Sequence, residues 1–133
     1  MDNTNSYNAL SLAFLGDAVY SLMVRDFLLE KVHPHASKLH QLSIKLVNAA
    51  SQSKAAKKIA SALTEDEADI LRRGRNAHSS HTPKNQSEKD YHYATGLEAL
   101  FGYLYLKNEK ERMKELFNLI TEDFEISEED KKR

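Results

Sequence analysis

No cysteine occurs among the 133 residues, which excludes disulfides, thiol nucleophiles and cysteine-ligated zinc. No stretch approaches the roughly 18 uninterrupted apolar residues of a membrane span. The polar start, MDNTNSYN, carries an acid where a secretory signal needs a basic stretch. These absences lead to the expectation of a soluble, cytoplasmic protein. Glycine and proline are scarce, at four and two residues. Net charge is nearly absent too, nineteen bases against twenty acids giving −1, which at first sight argues against a nucleic-acid partner. What remains is ordinary globular composition, 41% hydrophobic and 29% charged, at a length suited to one domain with its own core.

The neutrality is a sum of unlike parts. Residues 31–93 hold eleven bases and six acids, whereas the segments on either side each carry a net −3. Lys31 to Thr64 contains six lysines and no acid, and Arg72, Arg73 and Arg75 crowd into the run RRGRN, with Lys84 and Lys89 following. Fields depend on where charge sits, so a neutral total can conceal a basic face. The lysines alone read better as solvated helix surface than as a binding face; the arginine cluster beside a polar loop reads as a binding surface.

Apolar spacing is helical throughout, with no alternating β-branched runs. The pattern predicts helices over about 8–31, 36–48, 51–63, 64–74, 87–107 and 109–124. The first is stopped by His33-Pro34-His35. Thr64 and Glu67 have capping-box spacing at the start of the fourth, and Gly74 is expected to end it as a left-handed cap. A polar loop from about Asn76 to Gln86 precedes the fifth. No repeat or linker divides the chain, so residues 1–126 read as one domain and 127–133 as a charged, frayed tail.

Two of these helices are too apolar for a surface. From Ala9 to Val24 twelve of sixteen residues are hydrophobic, and from Ala94 to Leu106 nine of thirteen. Such helices lie at the centre of a core or against another subunit. Glycine inside a helix costs about 1 kcal/mol relative to alanine, so Gly16, Gly96 and Gly102 are expected to permit close backbone approach. Each of these apolar stretches carries one carboxylate, Asp17 or Glu98. An ionised carboxylate in apolar surroundings is costly unless paired or metal-bound, and a structural salt bridge is the alternative for each. Converging from two helices, these two oxygen ligands would suit a hydrated Mg²⁺.

At this point the residues carry a resemblance. LAFLGDAVY (Leu12 to Tyr20) resembles the signature helix of the ribonuclease III family, whose motif ends in FLGDAV. TGLEALFGYLYL (Thr95 to Leu106) is similar to the family's second metal-ligand helix. SIKLVNAASQSKAAKKI and ILRRGRNA fall between them in the expected order, and the resemblance extends over about Leu10 to Phe124. RRGRNA followed by Thr-Pro-Lys-Asn at Thr82 to Asn85 looks most like the mini-ribonuclease III branch, a catalytic domain without a double-stranded-RNA-binding domain. The sequence departs from the wider family at Leu10, Ala13 and Thr95, where other members carry further acids. Of the acidic set only Asp17 and Glu98 remain, as in the mini branch, which leaves open whether one or two Mg²⁺ ions bind.

The resemblance implies an all-α, dimeric ribonuclease III-type endonuclease domain that cuts double-stranded RNA, leaving 5′-phosphate and 3′-hydroxyl ends. Asp17 and Glu98 are the implied catalytic metal ligands for Mg²⁺, and Phe14 is a candidate for the two-fold interface. Arg72, Arg73, Arg75 and Lys84, with Asn76 and Asn85, are the candidate RNA contacts. A-form duplexes are read through shape, phosphates and 2′-hydroxyls, which suits this supply of cations and the lack of an aromatic platform for unstacked bases. The implied biology is maturation of large-subunit ribosomal RNA precursor, with a ribosomal protein as a further partner that presents the RNA. The rival readings are a catalytically inactive RNA-binding scaffold in ribosome assembly and a helical protein-interaction module.

Other groupings are weaker. His78 and His81 are three apart but lack further ligands for zinc, and Ser79-Ser80 lack an acid to complete a triad. His33, His35 and His40 read as turn and surface residues. Tyr91, Tyr93, Tyr103 and Tyr105 read as core or interface, with Tyr93 able to reach RNA.

Overall fold

The structure, a computed structural model, describes residues 7–32, 38–77 and 87–132. Among them lie six α-helices: α1 (Ala9–Lys31), α2 (Leu39–Val47), α3 (Ala49–Ile59), α4 (Glu65–Asn76), α5 (Glu88–Leu106) and α6 (Lys110–Thr121). The all-α expectation holds. Lys84, Asn85, the His78/His81 pair, Ser79-Ser80, His33 and His35 lie outside the described residues.

Local chemistry sets the helix ends. The side chain of Asn8 accepts from the Ser11 amide at 2.8 Å to open α1, and that of Asn48 accepts from the Ser51 amide at 2.8 Å to open α3. The expected capping box opens α4: the Glu67 amide donates to Thr64 Oγ1 at 3.2 Å and the Thr64 amide donates to Glu67 Oε1 at 2.9 Å. Helix α5 ends in a Schellman turn, with the Glu109 amide donating to the Leu104 carbonyl at 2.9 Å and the Asn108 amide to the Tyr105 carbonyl at 3.0 Å. Asn108 sits there at φ 59°, a left-handed conformation that asparagine tolerates better than most side chains.

Helix α5 is the axis of the molecule. Leu97, Ala99, Leu100, Phe101 and Leu104 are fully buried, and α1, α3, α4 and α6 all pack on this helix. Around Phe101 the aromatic rings meet edge to face, Tyr20 at 5.2 Å from Phe101 and at 5.7 Å from Phe117. The apolar character of α5 thus reflects burial at the centre, whereas α1 buries one face and leaves Leu10, Phe14, Leu22 and Leu29 exposed on another.

Glycines set how closely α5 is approached, and here one expectation is corrected. Gly74 does not cap α4; the helix continues to Asn76, and Ala77 closes it in an extended conformation. A Cβ on Gly74 would lie 2.8 Å from the Gly96 Cα, and one on Gly96 would lie 2.6 Å from the Leu71 carbonyl oxygen. Gly74 is therefore small because α4 crosses α5 against Gly96, a tertiary demand that its position near a helix end disguises. A second crossing joins α1 to α5 at Gly16 and Gly102, as expected of those glycines.

The charged C-terminal stretch is not frayed through Lys132. Glu128–Asp130 form a 3-10 turn, Val32 and Lys131 pair in an isolated antiparallel bridge, and the Lys132 amide donates to the Lys31 carbonyl at 2.9 Å. Lys38 pairs with Glu129 at 3.3 Å in the same corner.

Candidate active site

Asp17 follows Gly16 in α1, and Glu98 lies four residues before Gly102 in α5. The glycine crossing therefore fixes their meeting. A Cβ on Gly16 would stand 1.6 Å from the Glu98 carbonyl oxygen. With no side chain between the two backbones, the carboxyl groups reach one another and share a hydrogen bond. Asp17 is on the exposed side of the pair and Glu98 is half-buried.

Burial and the adjacent Asp17 charge push the Glu98 carboxyl up to about 8, and the shared hydrogen bond with Asp17 acts in the same direction. The Gln52 amide opposes this, donating from Nε2 to Glu98 Oε2 at 3.4 Å. Gln52, on α3, is only 4% exposed, so this side chain is committed to the site. Tyr20, one turn along α1 from Asp17, is driven well above the usual phenol range, first by burial and then by the charge of Glu98. It remains a neutral phenol at any physiological pH.

The arrangement explains why the salt-bridge alternative fails for this pair. The two acids face each other, and no group of three or more histidine, cysteine or acidic side chains gathers into a metal cluster among the described residues. Burial first and the Asp17 charge second raise Glu98, and two facing carboxylates of this kind are able to accept a cation between them. Hard oxygen donors, few in number and open to water on the Asp17 side, fit Mg²⁺ with most of its waters retained.

The arginine cluster does not act as one surface. Arg72 pairs with Asp69 on its own helix, and Arg73 donates to the Tyr7 carbonyl at 3.3 Å. Arg75 turns towards α5, donating from Nη1 to the Tyr93 hydroxyl at 3.3 Å and lying 5.4 Å from the ring centroid. Asn76 is exposed, and its Oδ1 accepts from Arg75 Nε at 3.4 Å. From α3, Lys57 Nζ reaches to 4.7 Å from the same Tyr93 centroid. Gln52, Lys57 and the central position of Tyr93 escape sequence reasoning. In the run AASQSKAAKKI nothing marks one glutamine or one lysine until the packing of α3 on α5 is known.

Phe14 is 84% exposed on α1, with Leu10 and Leu22 also exposed on that helix. Beside it lies a shallow depression bordered by Leu10, Ser11 and Ala77. Of the tyrosines, Tyr103 is in the core and Tyr105 is exposed, while His40 is on the surface as expected.

Comparison with known proteins agrees with this fold. The Ribonuclease III domain family matches residues 10–109. The chain is 46% identical over 114 residues to the Mini-ribonuclease 3 of a Thermoanaerobacter species, covering 86% of this chain and 80% of that protein. It is 40% identical over 115 residues to the Mini-ribonuclease 3 of Staphylococcus aureus, covering 85% and 86% respectively. A crystal structure of a Fusobacterium nucleatum protein superposes with a TM-score of 0.80 at 32% identity, covering 92% of this chain and 98% of that one. No described helix is long and apolar enough to cross a membrane.

Proposed function

The chain belongs to the ribonuclease III domain family, a family of endoribonucleases that act on double-stranded RNA, and from that premise we propose that it is a Mg²⁺-dependent nuclease cutting duplex RNA at Asp17 and Glu98. The observation that carries the reading is the facing carboxylate pair, held together at a glycine crossing, in which burial and the neighbouring Asp17 raise Glu98. With both carboxylates ionised, the pair would hold the ion. Bound there, Mg²⁺ supplies Lewis-acid polarisation of the scissile phosphate and activation of water. Gln52 steadies the Glu98 carboxylate through its amide, and the neutral Tyr20 closes the buried side of the site. The products carry 5′-phosphate and 3′-hydroxyl ends.

Arg72, Arg73, Arg75 and Asn76 stand as RNA contacts of unequal standing. Arg75 is nearest in the fold to the acid-bearing helix, and Arg72 must exchange Asp69 for a phosphate to contribute. Lys84 and Asn85, in the segment between α4 and α5, complete the proposed set. The exposed Phe14, with its neighbouring depression on the same helix, supports a homodimer in which the patch meets its own two-fold copy and two sites face opposite strands. The substrate we infer is large-subunit ribosomal RNA precursor in the cytoplasm, with a ribosomal protein as the partner that presents it.

The test is cleavage of a duplex RNA by the purified protein with and without Mg²⁺, beside the variant Asp17→Asn. The expected result is metal-dependent cutting that the variant loses while it still binds RNA. Cutting retained by Asp17→Asn refutes the role given to that residue, and binding without metal-dependent cutting by the parent protein favours the inactive scaffold.

A further inference from the structure

Helices α3 and α5 run past one another in a register that places two pairs of side chains in sequence. Gln52 meets Glu98, and five residues further along α3 Lys57 meets Tyr93, five residues earlier in α5. The two pairs are therefore about 7.5 Å apart along the helix axis, at 1.5 Å of rise per residue. The first pair belongs to the carboxylate site. The second gathers cations: Lys57 from α3 and Arg75 from α4 both lie against the Tyr93 ring, at 4.7 Å and 5.4 Å from its centroid.

Neither Lys57 nor Arg75 has a carboxylate partner among the described residues, unlike Lys58, which pairs with Asp123 at 3.0 Å one position along α3. The ring face attracts both cations but does not neutralise them. Tyr93 accepts from Arg75 through its hydroxyl oxygen, which leaves the phenol proton available to donate outwards. The Arg75 bond lowers the Tyr93 pKa more than burial raises it, and the charges of Arg75, Lys89 and Lys57 add to the effect, so the local field is positive. Lys89 and the exposed Glu88 border the open depression in front of Arg75 and Tyr93. Arg75 and Tyr93 line this depression, and the Lys57 ammonium lies against the same Tyr93 ring, so an ammonium and a guanidinium, both suited to the oxygens of a phosphate, are gathered about one side chain.

We propose that Lys57, Arg75 and Tyr93 form a subsite for one backbone phosphate of the RNA strand being cut, next in line to the phosphate at Asp17 and Glu98. It rests on the reading of the chain as a duplex-RNA nuclease and adds to it a second, metal-independent point of attachment. Lys57 and Arg75 share a single phosphate there, and Tyr93, whose ring both cations approach, is a positioning residue for them. Two attachment points in line fix which phosphodiester lies over the carboxylates, so the subsite governs register along the strand.

The experiment measures binding of a blunt duplex RNA to the full chain in buffer free of divalent ions, as a function of KCl concentration, together with KM and kcat in Mg²⁺. The double variant Lys57→Gln/Arg75→Gln is expected to reduce the slope of log affinity against log salt by about 0.9, the value for one phosphate on a B-form DNA duplex. It should raise KM several-fold with kcat little changed. Tyr93→Phe, which removes no charge, should leave the slope intact and still raise KM. Lys114→Gln, on the exposed face of α6, serves as the control and should change neither. An unchanged slope in the double variant, a loss near twice that value, or an equal loss in Lys114→Gln would overturn the shared subsite. Absence of salt-dependent binding by the unsubstituted protein would instead remove the duplex-RNA reading on which the subsite rests.

Discussion

Gly16 and Gly102 meet backbone to backbone: a Cβ on Gly16 would lie 2.9 Å from the Gly102 nitrogen, and one on Gly102 would lie 2.1 Å from the Leu12 carbonyl oxygen. This contact makes the site. Any side chain here would wedge α1 from α5, and the separation would pass directly to Asp17 and Glu98, which flank it. Burial of the apolar faces of both helices holds the crossing closed.

Gly16→Ala is expected to destabilise the protein by about 3 kcal/mol, the upper end of the usual overpacking range, because the obstacle is backbone and cannot rotate away. Urea unfolding monitored by far-ultraviolet circular dichroism measures the loss. Cleavage should fall further than the unfolded fraction explains. A stable Gly16→Ala protein with full activity would show that the helices can separate without disturbing the carboxylates.

The facing acids make a second prediction, on stability rather than rate. At pH 8 without divalent ions, Glu98→Gln or Asp17→Asn should raise stability by roughly 0.5–2 kcal/mol, since each removes a repulsion that serves only the site. The sign follows from the Glu98 shift. Its folded-state carboxyl titrates near 8 and its unfolded one near 4.5, so between these values the folded state binds more protons and stability falls as pH rises. Added Mg²⁺ should raise the melting temperature of the parent protein at pH 8 and not that of the variant carrying both Asp17→Asn and Glu98→Gln. Melting curves with and without the ion decide it.

How far these acids could be read from the sequence is instructive. Asp17 and Glu98 stood out because each is the only charge in a strongly apolar stretch, Ala9 to Val24 or Ala94 to Leu106, and the glycines beside them announced close packing. The capping box of α4 was legible because it depends on residues three apart. Gly74 misled because the same residue serves a left-handed cap and a helix crossing, and only the position of Gly96 in space separates the two. Gln52, Lys57 and the divergence of Arg72, Arg73 and Arg75 were illegible for a related reason. They depend on the rotation of α3 and α4 against α5, which side-chain packing sets and local sequence does not.

A third prediction concerns acid. Glu67 is 4% exposed and receives Arg112 through two bonds, Nε to Oε2 at 2.9 Å and Nη2 to Oε1 at 2.8 Å. Burial alone would raise its pKa, but the Arg112 pairing and the Thr64 amide outweigh burial and lower it. A depressed carboxyl contributes stability above its unfolded value, near 4.5, and loses it as pH falls through the folded one. Glu67→Gln should therefore cost about 1.5–3 kcal/mol at neutral pH and flatten the acid limb below pH 4.5. Equal acid limbs for parent and variant would place the proton uptake elsewhere.

The exposed patch on α1 supplies a fourth. Phe14→Lys should leave helix content unchanged, because the side chain touches solvent over most of its surface. If this face is the two-fold contact, the variant sediments as a monomer at micromolar concentration where the parent is a dimer. A dimeric Phe14→Lys protein would move the interface away from Phe14.

The corner where Val32 pairs with Lys131 has a practical consequence. Lys132 is tied to the carbonyl of Lys31, at the far end of α1 from Asp17. Fourteen residues of helix separate the two positions, about 21 Å. A tag, fluorophore or tether fused beyond Lys132 would thus leave the molecule well clear of the carboxylates, whereas one placed before Asn8 would emerge close to Phe14. Immobilisation through the C-terminal side is the orientation that keeps the proposed catalytic face open.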